Sequence, residues 1–352
     1  MQVIAVKRVI QKAETIFAAT RTEPTDNDGL SRQDLLAGLV HLDTFAAMFW
    51  RLYFWPEWTI VEQRQFRQSW SSATTYAGPT PTSSVEVFHI RSGQYAQSLR
   101  DNNQNHPPFS DGGAWWAECL PSYSEDFEYA AGVNVAVGQK TRNPDDNRFY
   151  QCHTAHVTGA TLDQTKWGIL TPFQRTLATE QSWETNPIDA IRRVTLLDPR
   201  VTPGAETTRL EVDKVGDVYV VAGGSSIVFV RFRLRPPPSG WAATLFDPTR
   251  SYQKDDIVYA DPPGDIFKAN KNNPATGGDN KPAAADWDLV PFPYVFRDAV
   301  SHAIAGQWLK ADGELAIADK LLNEAMDLAG MEFEEIERQQ DQSGRIPMKF
   351  AI

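Results

Sequence analysis

Cysteine is nearly absent from this sequence: two in 352 residues, Cys119 and Cys152. That is too few for a disulfide scaffold, so both are expected to be reduced thiols. Basic residues are outnumbered, 34 Lys and Arg against 45 Asp and Glu, giving a formal charge of −11 with no Lys/Arg tract. The basic patch of a nucleic-acid binder is therefore missing. An acidic surface can still line a path for DNA, repelling phosphates instead of gripping them. Long apolar runs are missing too. The longest, FAAMFWRLYFW at 45–55, contains Arg51 and stops at Pro56, too short to span a bilayer. The opening MQVIAVKRVIQKAETIF carries charges every few residues and lacks the apolar region of a signal peptide. The expectation is a soluble protein made in the cytoplasm, with no membrane partner. No Gly-rich phosphate loop, G-x-S-x-G or H-E-x-x-H occurs. No catalytic residue, no cofactor and no metal site is expected.

What is present is aromatic: 11 Trp, 10 Tyr and 18 Phe. Apolar residues make up 41% and charged residues 22%, enough for real cores and inconsistent with wholesale disorder.

The two ends read as helix. Val3, Val6, Ile10, Ala13 and Phe17 recur at spacings of three and four, one helical face. Ser31 followed by Asp34 is a capping-box variant. From Leu35 to Leu52 the apolar residues cover most of a helix circumference, which calls for burial on several sides. Either a large helical core or a neighbouring subunit would supply it, and Pro56 ends the helix. Near the other end, Val295, Phe296, Ala299, Val300, Ala303, Ile304 and Trp308 form one stripe. Gly313 breaks it, and Leu315 to Ile336 forms another. The run EFEEIERQQDQ reads as a solvated helix end.

Between the helices the pattern changes to short alternating runs such as VEVFHI, VNVAV and SIVFVRFRL, which are strand signals. An internal repeat of about 50 residues lies here, the kind of period that marks repeated modules. Its skeleton is an opening Tyr (76, 129, 252), a Val-bearing strand, a second aromatic (Tyr95, Tyr150, Phe267) and a closing Trp (115 or 116, 167, 287). The second copy fits least well. A different block, NPIDAIRRV to VFVRFRLRPPP, reads as about four strands ended by Pro236–Pro238.

Two constellations have bland alternatives. Cys152, His153 and His156 suggest a metal site, but in a strand the two histidines point to opposite faces. The acid pairs Asp145–Asp146 and Asp255–Asp256 suit polar turns.

In the third repeat, Trp241, Tyr252, Asp256, Val258, Tyr259, Phe267, Ala269, Pro274 and Trp287 resemble the pattern of chitin-binding modules of carbohydrate-binding families 5 and 12. KDD stands where that family has Gly before Asp. The resemblance implies small all-β modules whose aromatics serve partly as core and partly as a sugar platform. Trp115, Trp116, Trp167, Trp287, Tyr252 and Phe267 are the candidate platform.

The whole outline, with its N-terminal helix pair (2–20 and 32–55), its β block ending VFVRFRLRPPP, the hairpin LVPFPYVFRDAVSHAIAGQWLKADGELAIADKLL and a loose tail, resembles the neck proteins of tailed phages. These are head-to-tail adaptors. The resemblance implies a homo-oligomeric ring, a dodecamer, bound to the portal protein and to tail or nozzle proteins in the virion neck. Double-stranded DNA passes through the ring without sequence-specific binding. Portal binding would fall to the extended arm, at Arg345, Ile346, Met348, Lys349 and Phe350. A surface glycan is a further partner if the modules bind sugar, and a carbohydrate-binding accessory or host-attachment protein is the alternative function.

The expected fold class is α+β: helical hairpins at both ends forming an assembly core, with a β block and three small modules inserted. The expected divisions are N-terminal helices 1–58, module one 59–121, module two 122–173, a β block of the core 174–240, module three 241–290, a C-terminal hairpin 291–338 and an arm 339–352. In this reading the modules project outward.

Overall fold

The computed structural model describes residues 3–20, 32–202, 204–223, 227–236, 241–260, 264–274, 282–283 and 285–343, without the side chains of 32–35 and 339–343. The expected arm residues Arg345, Ile346, Met348, Lys349 and Phe350 lie outside these, as do Ser31 and the side chain of Asp34, the expected capping pair. The chain is α+β, with helices toward both ends and many strands in small sheets between them. Among the described residues no helix is long and apolar enough to cross a membrane.

The chain divides into two compact units, 1–60 with 233–352, and 61–232. This grouping differs from the expected one. The β block belongs with modules one and two, and module three belongs with the helices.

The first unit holds four helices: α1 (Val6–Thr20), α2 (Arg32–Leu52), α3 (Arg297–Ala311) and α4 (Leu315–Ser343). The helix expected from residue 2 begins later because Val3–Ile4 pairs antiparallel with Phe292–Pro293. Helix α3 packs against the other three and is buried almost all round, through Ala299, Val300, Ala303, Ile304, Ala305 and Gly306. Small residues permit that. A Cβ at Gly306 would lie 3.2 Å from the Ala318 carbonyl oxygen of α4. Gly313, at φ +90°, turns the chain between α3 and α4. The Glu314 N–H donates back to Leu309 O at 2.9 Å, satisfying a carbonyl the helix end leaves open.

Module three is fused to this helical core rather than hung from it. Its strand Thr244–Leu245 runs parallel to Ile257–Ala260, which pairs antiparallel with Asp265–Ala269, and that strand with Trp287–Val290. Side chains alternate across a strand. One face, with Val258, Phe267, Ala269 and Trp287, closes on Tyr252 and Phe246 as a core of its own. The opposite face, with Ile257, Tyr259, Ile266 and Val290, joins Trp241, Trp50, Phe296 and Ile304 in the helical core. Trp50 stacks on Trp58 at 4.3 Å, and its Nε1–H donates to Leu234 O at 2.9 Å.

In the second unit, modules one and two repeat that topology. Ser69 bridges Phe88 in parallel, and strands Glu86–His89, Gln94–Ser98 and Trp116–Glu118 form a meander. Phe127–Glu128 runs parallel to Lys140–Asn143, followed by Arg148–Cys152 and Trp167–Leu170. The β block makes two sheets. Strand Ile188–Thr195 lies between Arg209–Leu210 and Ile227–Leu234, whose other neighbour is Thr59–Gln65. Val218–Val221 lies between Thr176–Ala178 and Val212–Val215. Thr59–Gln65 thus serves the β block, although the sequence boundary at 59 assigned it to module one.

Candidate functional site

The repeated Tyr and Trp make the same contact three times. Tyr76 meets Trp116 edge-on at 5.1 Å, Tyr129 meets Trp167 at 6.2 Å and Tyr252 meets Trp287 at 5.2 Å. In modules one and three the Tyr hydroxyl also ties down the chain five residues back. It accepts from Ser71 N at 2.7 Å or Asp247 N at 2.8 Å, and donates to the carbonyl of the same residue at 3.2 Å in both cases. In module two, Tyr129 reaches Thr161 O at 2.8 Å instead. The second aromatic of the repeat is misassigned in module one. Trp167 pairs with Cys152, Trp287 with Ala269 and Trp116 with Ser98. Two residues before those partners stand Tyr150, Phe267 and Ala96. Ala96 therefore holds the inward position, and Tyr95 faces the other way, stacked on Phe173 at 4.9 Å.

Of the candidate platform, Trp116, Trp167, Trp287 and Tyr252 are interior, none more than 3% exposed, and Phe267 is half-buried. Trp115 is half-buried but both its faces are taken. The Arg100 guanidinium carbon lies 3.5 Å from its ring centre and the His106 ring is parallel to it at 3.7 Å. Two groups so close to one ring centre must occupy opposite faces.

The CHTAH segment separates its histidines. The Trp167 Nε1–H donates to His156 Nε2 at 3.0 Å, so that nitrogen is the acceptor and Nδ1 carries the proton toward Thr154 O at 2.7 Å. His153 turns elsewhere, its Nδ1 3.1 Å from Thr154 Oγ1. Among the described residues no group of three or more His, Cys, Asp or Glu could hold a metal ion. Burial, with Arg100 beside it, holds the His153 pKa below its ordinary 6.5.

His153 lines a cleft of about 400 Å³ between modules one and two, which sequence reasoning missed. Glycines bring its walls together. Gly168 lies on Leu99, where a Cβ would meet the Leu99 oxygen at 2.7 Å, and Gly78 lies on the Arg100 backbone at 2.9 Å. Gln97, fully buried, fastens the modules: Nε2 donates to Ile169 O at 2.6 Å and Oε1 accepts from Thr171 N at 3.0 Å. Arg100, Asp101, Tyr150, His153 and Gln164 supply the polar lining, with Pro79 and Ile169 apolar. Arg100 is partly desolvated, which lowers its pKa, and its Nε is buried without a partner.

The first unit offers a surface of another kind. Leu39, Leu42, Phe45, Ala46, Phe49 and Trp50 of α2 are core, yet Leu36, Val40, Met48 and Leu52 stand exposed along its other side, with exposed Thr44 between Val40 and Met48. Val40 is 65% exposed. Leu315, Met326 and Met331 of α4 are exposed as well.

Compared with models of known protein families and with curated proteins, the chain finds no match.

Proposed function

We infer that this chain is a structural protein of a tailed-phage virion, a head-to-tail adaptor whose copies form a ring under the portal and around the DNA path. One observation carries the reading. Helix α2 exposes four large apolar residues on the side away from its own core, broken by Thr44, so a neighbouring copy is the simplest cover for it. The same two faces on every copy close a ring when the contact is heterologous. The charge of −11 suits a wall past which DNA slides, since attractive phosphate contacts retard it. On this reading the protein sits in the virion neck, with portal and tail or nozzle proteins as partners and the segment after α4 as the portal-binding arm. A carbohydrate-binding or host-attachment role would need a surface other than the Tyr–Trp pairs, which the module cores occupy.

The test is mass by light scattering, alone and with portal protein. A ring of about a dozen copies is expected in at least one condition, lost in Val40→Glu/Met48→Glu with helical content unchanged. A monomer in both conditions rejects the reading. Deleting residues 340–352 is expected to abolish head–tail joining in assembled particles, and normal joining would reject the arm.

A further inference from the structure

The geometry points to the cleft between modules one and two as a binding site for a neutral pyranose sugar, held by Asp101, His153 and Gln164. The site is distinct from the aromatic platform expected of the repeats and does not rest on the adaptor reading.

Four observations carry it. The cleft is preformed: Gln97 and the Gly78 and Gly168 contacts fix its walls without a ligand. Its volume, about 400 Å³, lies in the range of small-molecule sites. Its charge is balanced, because Arg100 and Asp101 both line the cleft and burial disfavours the charged form of His153. An anion gains little in such a field. Finally, its unused valences are of both kinds. Gln164 has no hydrogen bond through either end of its amide. Asp101 uses Oδ1 on Gly78 N at 2.8 Å and leaves Oδ2 open. His153 is more than nine-tenths buried, lines the cleft, and has only Nδ1 engaged. Each sugar hydroxyl donates and accepts, and a pyranose C–H face suits Pro79 and Ile169. An apolar ligand would leave these groups unpaired at a cost.

The experiment is saturation-transfer NMR and calorimetric titration of the full chain. The neutral probes are glucose, galactose, mannose, N-acetylglucosamine, N-acetylgalactosamine and their short oligomers. The charged probes are glucuronate, galacturonate and sialic acid. At least one neutral sugar is expected to bind, and Gln164→Ala and Asp101→Asn are each expected to weaken it about tenfold. Gln164→Trp, on an exposed loop, fills the cleft and is expected to abolish binding with the melting temperature unchanged. Three results overturn the proposal: no neutral probe binds, only charged probes bind, or binding survives Gln164→Trp. None of them bears on ring assembly.

Discussion

Trp115 and Trp116 are chain neighbours with opposite surroundings. Trp116 closes module one on Tyr76, with its Nε1–H donating to His106 O at 2.7 Å, while Trp115 lies between Arg100 and His106. Trp116→Ala should cost about 3–5 kcal/mol, the usual range for a core Trp. Trp115→Ala should cost clearly less, because its ring is already partly in water. Denaturant unfolding of both variants checks the difference. His153 supplies a pH prediction. Its folded pKa lies below 6.5, so in the acid window below 6.5 the unfolded chain binds more protons than the folded one. Stability is therefore present above 6.5 and falls as pH drops through that window. His41 and His89, also lowered by burial, act in the same direction. Melting temperatures from pH 7.5 down to 5 should fall less steeply in His153→Gln than in the parent. An equal slope would show that His153 does not contribute.

At the scale of elements, the turn between α3 and α4 and the join between the modules are the informative places. Gly313→Ala forces a Cβ into a left-handed conformation, at a cost of about 1–2 kcal/mol, and Gly313→Asn should recover part of it. Thermal unfolding reads both. Gln97→Leu leaves the buried Ile169 carbonyl unpaired, worth about 1–3 kcal/mol, and frees the part-buried Thr171 N–H. Hydrogen exchange at Thr171 should rise together with the loss of stability. The repeat also shows how finely an element must be read. Tyr95 and Ala96 differ by one position, and one position reverses the face of a strand. The aromatic character of Tyr95 matches the repeat, but the pairing of Ser98 with Trp116 puts Ala96 in the inward position.

For the whole molecule, the exposed side of α2 sets the sharpest expectation. Val40→Glu/Met48→Glu removes apolar surface that no residue of the described chain covers. Sedimentation should show smaller particles with an unchanged melting profile, and unchanged particle size would remove the reason for invoking neighbouring copies. The Arg64 network of the β block makes a contrasting prediction. Arg64 is buried, bonded to Glu62 at 2.7 Å and Asn186 O at 2.6 Å, and lies over Phe232. Arg64→Ala should cost about 3 kcal/mol or more, because a buried pair broken on one side leaves an uncompensated charge. That loss should appear as unfolding, without any change in association.

Helix positions, the Gly313 break and three Trp-closed modules were readable along the chain, because burial periodicity and turn residues are properties of short segments. The α+β class followed from the same signals. Which face met which partner was not readable. The strand Ile257–Ala260 carries apolar side chains on both faces, and nothing local distinguishes the face that covers Trp287 from the one that enters the helical core. For the same reason module three looked like an appendage, and Thr59–Gln65 like the start of a module. The cleft was invisible because Gly78, Arg100, His153 and Gln164 are far apart in sequence. They become neighbours only through backbone approaches at Gly78 and Gly168, and long-range contact of that kind leaves no periodic trace in a linear chain.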